Sequence, residues 1–198
     1  AVVPARPAST GTTASRVFAK MLASKNEANF PYPTSVKPLF DAKCVARTLE
    51  PVRARAGLRV LPDADFAAPL AADLLLVPGG VVNQAMACPD TLAWVQRMHA
   101  ASRWTASVCT GAFVLAALGL LEGRRATTHW AHCQTLARRY PHVRVDPDSL
   151  FVQDGPFITG AGITAGIDLT LALVESDYGP AVARRVACST NTSSPAVE

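Results

Sequence analysis

The chain has 198 residues, of which 49% are hydrophobic, and a formal net charge of +4. This length suits one domain with a sizeable core. No apolar run reaches the roughly 18 residues needed to cross a bilayer, and the N-terminus lacks the basic and apolar pattern of a signal peptide. The arginines are scattered rather than clustered with aromatic residues, which argues against a dedicated nucleic-acid surface. We therefore expect no direct contact of this chain with nucleic acid or with a membrane.

The cysteines favour a reducing compartment. Their number is odd and their spacing is irregular, which is typical of free thiols in the cytoplasm rather than of a disulfide framework. No Cys/His spacing suggests a zinc site, so we predict neither a metal nor a cofactor. The five are Cys44, Cys88, Cys109, Cys133 and Cys188.

The first third of the chain carries weak signals. Val2 and Val3 are interpreted as the remnant of a first strand, followed by a polar loop. A helix is predicted over about 16–26, with apolar residues on one face. Three prolines make 29–38 a loop. Strands are predicted at 39–46 and 57–61.

The middle of the chain carries stronger signals. Residues 74–77 form a continuous apolar run, typical of a parallel strand that is buried on both faces. A helix over 89–101, a strand over 104–108 and a helix over 110–121 follow.

The last third alternates in the same way. We predict an extended piece at 124–129, a helix over 131–140, short strands at 143–145, 150–152 and 157–159, a hairpin turn at 154–155, and helices over 165–178 and 180–187. The tail, 189–198, is polar and is predicted to be disordered.

Strands that alternate with helices of ten to fifteen residues indicate an α/β domain with a mostly parallel sheet. In such sheets, sites gather at the carboxyl ends of the strands. The glycine turns at 78–80 and 109–111 both follow predicted central strands. We therefore expect the two turns to lie at the same edge of the sheet.

Cys109 is the leading candidate for chemistry. The sequence Cys109-Thr110-Gly111 stands where a strand breaks into a helix, and a helix N-terminus favours a thiolate. Gly79, Gly80 and Gly111 are candidates to supply backbone N–H groups to an oxyanion or to line the pocket. The alternative is an inert core cysteine, which is the interpretation we adopt for the other four.

Three further residues are candidates for the pocket. Thr128 and His129 follow Cys109 by about 20 residues, and His129 has the chemistry of a general base. A structural histidine beside Trp130 is the alternative, and we favour it. Asp168 lies one turn into a predicted helix after a glycine-rich loop, where charge placement at the helix N-terminus also explains it.

Three stretches of this sequence resemble the PfpI/ThiJ family of the class I glutamine amidotransferase-like superfamily. They are Leu-Leu-Val-Pro-Gly-Gly at 75–80, Ser-Val-Cys-Thr-Gly-Ala-Phe at 107–113 and Gly-Leu-Leu-Glu-Gly-Arg-Arg-Ala-Thr-Thr-His-Trp at 119–130. The resemblance implies a single flavodoxin-like three-layer sandwich over residues 1–188, with the first 38 loosely matched. It implies helices on both faces of the sheet, a nucleophile elbow at Cys109 and a homodimer.

Two branches of the family share these motifs. One is the amidotransferase-like domain of AraC-type transcriptional regulators, in which a helix-turn-helix domain follows; we expect none within these 198 residues. The other is the isonitrile hydratases, in which the elbow cysteine attacks the isocyanide carbon, and the Cys109-Thr110 pair suits that branch. The family's enzymes also place a carboxylate beside the thiol, and the matching stretch, 8–13, has none.

Three functions stay open at this point. The first, which we favour, is a small-molecule-binding regulatory domain of the AraC-type kind without its helix-turn-helix. The second is a cysteine-dependent hydratase or hydrolase that acts on a small molecule. The third is a non-catalytic protein in which Cys109 responds to oxidants.

Overall fold

The computed structural model describes residues 19–20, 40–54, 57–162 and 164–190. Within these residues the strands are β1 (Ala19–Lys20), β2 (Cys44–Ala46), β3 (Val52–Arg53), β4 (Arg59–Val60), β5 (Ala64–Asp65), β6 (Leu74–Val77), β7 (Trp104–Val108), β8 (Arg125–Ala126), β9 (Arg144–Val145), β10 (Phe151–Asp154) and β11 (Phe157–Gly160). The helices are α1 (Asn83–Met86), α2 (Pro89–Ala101), α3 (Gly111–Ala117), α4 (Cys133–Arg139), α5 (Ala165–Tyr178) and α6 (Pro180–Thr190), and a 3-10 turn (Trp130–His132) precedes α4.

A four-stranded sheet with the order β10-β11-β7-β6 carries the centre of the fold. Strands β6, β7 and β11 run parallel, and β10 pairs antiparallel with β11 at the edge. The register sets Val77 beside Ser107, and Gly160 beside Val108. The carboxyl ends of the three parallel strands therefore meet at one edge.

A second sheet and two smaller strand pairs flank this centre. The second sheet has the order β1-β2-β5, with β2 parallel to β5 and antiparallel to β1, and β1 contacts β6. The pair β3-β4 is antiparallel and the pair β8-β9 is parallel. The protein thus has a mixed α/β fold with parallel strands and helices.

The two faces of the central sheet bury different groups. Leu75 and Val77 belong to the larger core cluster, which includes residues of α2, α3 and α4. Leu74 and Ala106 belong to a smaller cluster that packs against α5. Because side chains alternate along a strand, the buried polar residue Ser107 faces the larger cluster.

Helix α2 illustrates how the sequence determines an element. Pro89 occupies the first turn, where its missing N–H costs no hydrogen bond, and Asp90 follows near the positive end of the helix. Trp94, Val95 and Met98 lie on one face and are all buried. That apolar stripe holds the helix against the sheet.

The elements with the strongest local sequence signals were predicted correctly. The strands at 74–77 and 104–108 and the helices at 89–101 and 165–178 have the predicted bounds. The hairpin at 154–155 is also confirmed, with Gly155 at a φ of 59° between β10 and β11.

Several predicted elements differ from the structure in type or in bounds. Residues 19 and 20, predicted as part of a helix over 16–26, form β1, because pairing with Cys44 and Val45 of β2 overrides a weak helical pattern. The helix predicted over 110–121 ends at Ala117, and Gly119 follows with a φ of 72°. Helix α6 continues to Thr190, two residues into the tail that was predicted to be disordered.

Some elements were missed and some predictions lie outside the described residues. Helix α1 and strands β3 and β5 were not predicted, and each of them has only two to four residues. The predicted first strand at 2–3, the loop at 29–38 and the tail beyond 190 fall on residues that the structure does not describe.

Candidate functional site

Cys109 forms a strained turn between β7 and α3. Its φ is 57°, and it is the one non-glycine residue with a positive φ among those described. This left-handed conformation costs about 1–2 kcal/mol for a residue with a Cβ. Such strain persists only where the surrounding structure holds it, and it concentrates at functional sites.

Both main-chain polar groups of Cys109 are bonded to distant segments. Its N–H donates to the carbonyl of Gly160 over 2.9 Å, at the end of β11. Its carbonyl accepts from the hydroxyl of Thr128 over 2.7 Å. The cysteine is thus held from two sides by residues that follow β8 and end β11.

The two predicted glycine turns lie against each other at this edge. A Cβ built on Gly79 would lie 2.6 Å from the Cβ of Cys109 and 3.0 Å from its Sγ. A Cβ on Gly111 would collide with the carbonyl oxygen of Val77 and lie 3.0 Å from that of Pro78. Only glycine fits at positions 79 and 111. Because neither residue has a side chain, the thiol of Cys109 can lie beside the turn at 78–80.

Thr110 joins the two turns through its hydroxyl. The Oγ1 of Thr110 accepts from the N–H of Gly80 and donates to the carbonyl of Gly80, both over 2.8 Å. Thr110 is buried, whereas Gly80 is exposed. The N–H of Gly80, predicted as an oxyanion donor, is therefore engaged by Thr110 in this structure.

Thr128 and His129 lie on the segment that follows β8. Thr128 is fully buried, and its carbonyl accepts a weak hydrogen bond from the Sγ of Cys133 over 3.6 Å. The Nδ1 of His129 accepts from the N–H of Ala131 over 3.2 Å, at the start of the 3-10 turn. In a neutral ring this bond leaves the proton on Nε2, so His129 has a structural task at this turn.

Asp168 stands apart from this network. It is exposed in the first turn of α5, where a carboxylate favours the helix N-terminus. Residues 8–13, where a carboxylate was sought, lie outside the described residues. The structure thus brings Gly79, Gly80, Cys109, Thr110, Gly111 and Thr128 together, and leaves Asp168 outside their hydrogen bonds within the described chain.

Sequence reasoning missed two residues on β11 that support the site. The carbonyl of Gly160 binds Cys109, and the Oγ1 of Thr159 accepts from the N–H of Thr127 over 2.8 Å in a buried position. The signal was available, because β11 was predicted as a strand and the carboxyl ends of parallel strands meet. The strand order, which sets β11 beside β7, is not encoded in any local pattern of the sequence.

Other kinds of site find no support in the described residues. Across the part of the chain that the structure describes, no group of three or more His, Cys, Asp or Glu side chains is arranged to hold a metal ion. Cys44 and Cys133 are buried, and Cys188 is exposed. None of the described helices is long and apolar enough to cross a membrane.

The fold and the site together define an α/β protein with a cysteine in a strained backbone conformation, where the carboxyl ends of three parallel strands meet. The family described as "DJ-1/PfpI family" matches residues 21–176. The chain belongs to this family.

Relatives of two kinds are similar to the chain. Isonitrile hydratase of Pseudomonas putida is 40% identical over 72% of this chain and 61% of its own length. The HTH-type transcriptional regulator CdhR of Pseudomonas aeruginosa is 38% identical over 69% of this chain and 40% of its own length. The chain therefore spans less than two thirds of either relative.

Solved structures share the fold. The crystal structure of a ThiJ/PfpI family protein from Pseudomonas syringae has a TM-score of 0.69 at 32% identity, and the match covers 79% of this chain and 65% of that one. An AraC family transcriptional regulator from Pseudomonas putida has a TM-score of 0.61 at 22% identity, over 72% of this chain and 77% of that one. The second likeness concerns the fold alone.

Proposed function

We propose that the turn at Cys109 is a nucleophile elbow and that the protein is a cysteine-dependent hydratase for small isonitriles. The observation that carries the proposal is the left-handed φ of 57° at a cysteine, rather than at a glycine, between β7 and α3. Glycine would adopt this conformation without strain, so the side chain at this position needs a reason. A thiol nucleophile is such a reason.

The surroundings of the thiol suit this chemistry. Cys109 lies next to Thr110, the N-cap residue of α3, so the N–H groups of the first helical turn favour negative charge nearby. The backbone N of Thr110 and the Sγ of Cys109 would each lie 3.0 Å from a Cβ on Gly79. An amide donor and a nucleophile therefore share the same small space, as the stabilisation of a developing charge requires.

The reaction that we propose has two steps. The Cys109 thiolate forms a C–S bond to the terminal carbon of R–NC, and this carbon takes up one proton to give the thioimidate S–CH=N–R. Water then adds across the C=N bond, with its oxygen on the same carbon and one proton on the nitrogen. The C–S bond breaks, and sulfur leaves as the thiolate with its electron pair. The hydroxyl proton is released as the carbonyl forms, so the net reaction is R–NC plus water to R–NH–CHO.

The similarity to isonitrile hydratase supports this choice of substrate. The Cys109-Thr110 pair suits that branch of the family. In the structure, the same two residues form the strained turn and its link to Gly80. Thr110 fixes Gly80 with two hydrogen bonds, which keeps the glycine turn beside the thiol.

The test is formamide production from n-butyl isonitrile, followed by proton NMR. We expect turnover by the wild type, none by Cys109→Ala, and wild-type turnover by Cys188→Ala, because Cys188 is an exposed thiol near the end of α6. Absence of turnover by the wild type, or equal turnover by Cys109→Ala, would remove the hydratase function.

A ligand-binding regulatory domain is the second candidate. The similarity to CdhR over 69% of this chain favours it. In that case a small molecule binds beside Cys109 and no product forms. Thermal unfolding with and without n-butyl isonitrile separates the two, because a stabilised protein without formamide supports binding alone.

A further inference from the structure

The strain at Cys109 needs an anchor on each side of the residue. The bond from its N–H to Gly160 continues the ladder between β7 and β11 and so belongs to the sheet. The bond at its carbonyl is of another kind, because a side chain, the hydroxyl of Thr128, supplies it. This second anchor is the one that a single substitution can remove without touching the sheet.

Thr128 is itself held firmly. Its side chain is fully buried. The residue before it, Thr127, donates its N–H to the Oγ1 of Thr159. The carbonyl of Thr128 accepts from the Sγ of Cys133. Its hydroxyl therefore has a fixed position, and a buried hydroxyl that lost its partner would be unfavourable.

A fixed carbonyl at Cys109 also fixes the next N–H. The peptide unit between Cys109 and Thr110 is planar, so its carbonyl and its N–H point in opposite directions. The carbonyl points to Thr128. At the opposite edge of this peptide unit, the nitrogen of Thr110 lies against Gly79, where the Sγ of Cys109 also lies.

We propose that Thr128 is a positioning residue whose hydroxyl orients the Cys109–Thr110 peptide plane and, through it, both the thiol and the N–H of Thr110. The hydroxyl does not touch the reacting atoms. It acts through the carbonyl of Cys109. This role of Thr128 rests on the proposed function of Cys109 as a nucleophile. Alkylation of the Cys109 thiol, however, can be measured without isonitrile chemistry.

Two substitutions separate the hydroxyl from the shape of the side chain. Thr128→Val keeps the shape and removes the hydroxyl, and Thr128→Ser keeps the hydroxyl and removes the methyl group. The matched control is Thr91→Val, because Thr91 is also fully buried and its Oγ1 has no hydrogen-bond partner in the described part of the chain. Unfolding in urea measures the stability of each variant alongside.

The readout is the rate at which iodoacetamide alkylates Cys109, followed by peptide mass mapping over about pH 6 to 9. We expect at least a tenfold lower rate at neutral pH and a changed pH profile in Thr128→Val. Thr128→Ser should stay within twofold of the wild type, and Thr91→Val should be unchanged. If formamide is produced, its rate should follow the same order.

Two results would overturn the proposal. One is a folded Thr128→Val whose Cys109 reacts within twofold of the wild type at every pH. The hydroxyl would then contribute only to the stability of the fold. The other is an equal loss of reactivity in the Val and Ser variants, which would assign the effect to packing. If Thr128→Val does not fold, Thr128→Ala against Thr128→Ser at low temperature makes the same comparison.

Discussion

The two ends of β6 and β7 are held in different ways. At the carboxyl end, side-chain hydroxyls bind backbone groups of distant segments, as Thr110 does with Gly80 and Thr128 with Cys109. At the amino end, the indole N–H of Trp104 is buried and has no hydrogen-bond partner within the described residues. Side chains there contact other side chains, as in the edge-to-face contact of Phe40 with Tyr178 at 5.8 Å between ring centroids, and the polar contacts Arg103–Asp177 and His99–Thr105 also join side chains rather than backbone groups.

This difference explains where chemistry can take place. Hydrogen bonds depend on direction, so they fix atoms in defined positions, whereas the hydrophobic effect has no direction and tolerates small shifts. A strained cysteine needs the first kind of support. We therefore expect the carboxyl end to respond sharply to single substitutions and the amino end to respond mildly.

The largest effect is expected at Gly111. A Cβ there would collide with the carbonyl of Val77 and push the two turns apart, so Gly111→Ala should lower the free energy of unfolding by about 3 kcal/mol. Gly162→Ala is the control, because a Cβ there meets nothing within 4 Å, and it should change stability by less than about 0.5 kcal/mol. Urea unfolding of both variants measures the contrast, and equal effects would contradict it.

Thr110 gives the next contrast. Thr110→Val removes both hydrogen bonds to Gly80 and should cost about 1.5 kcal/mol, because water partly replaces them at this exposed glycine. At the amino end, Ser102→Ala removes a buried hydroxyl that has no partner among the described residues. It should be neutral or slightly stabilising in the same unfolding measurement. A loss at Ser102 as large as that at Thr110 would argue against two differently held ends.

The strain itself can be measured within β7 and its turn. Cys109→Gly should be more stable than Cys109→Ala by about 1 kcal/mol, because alanine keeps the strained left-handed backbone. Two residues earlier, in the regular strand, the order should reverse, with Ser107→Gly less stable than Ser107→Ala. The same order at both positions would mean that Cys109 carries no strain.

The smallest effect concerns His99, which packs near the amino end. Its Nδ1 lies 2.8 Å from the Oγ1 of Thr105, and burial, with a smaller contribution from the charge of Arg124, lowers the pKa of His99 from its usual 6.5. The unfolded chain takes up this proton below about pH 6.5 while the folded protein resists it, so stability falls as the pH drops through that range. We expect His99→Gln to lose less stability than the wild type between about pH 7.5 and 5.5 in urea unfolding. An identical loss in both would contradict this.

The sequence allowed the parts of the fold with local signals to be predicted. Residues 74–77 are apolar throughout and end at Pro78, and the helix at 89–101 begins with a proline and buries one face. Strand β5 could not be found in this way, because two residues become a strand only through pairing with β2. Local patterns do not encode such pairing.

The site shows the same limit. Cys109 and the glycine turns were identified because Cys-Thr-Gly at the end of a strand is a local pattern that indicates a sharp turn into a helix. The bond between Thr128 and Cys109 was not, because it joins residues 19 apart and depends on where the segment after β8 crosses the end of β7. The role of Gly160 likewise follows from the strand order, which the sequence does not display.

A single-turnover trap tests most directly whether Cys109 is the nucleophile of this site. The protein in excess is mixed with n-butyl isonitrile, quenched in acid, digested and mapped by mass spectrometry. A thioimidate adds the full mass of the isonitrile to the cysteine. We expect this mass on the peptide of Cys109 and not on that of Cys188, and we expect it to decay as formamide appears. Formamide that forms without an adduct at Cys109, or an adduct confined to Cys188, would contradict it.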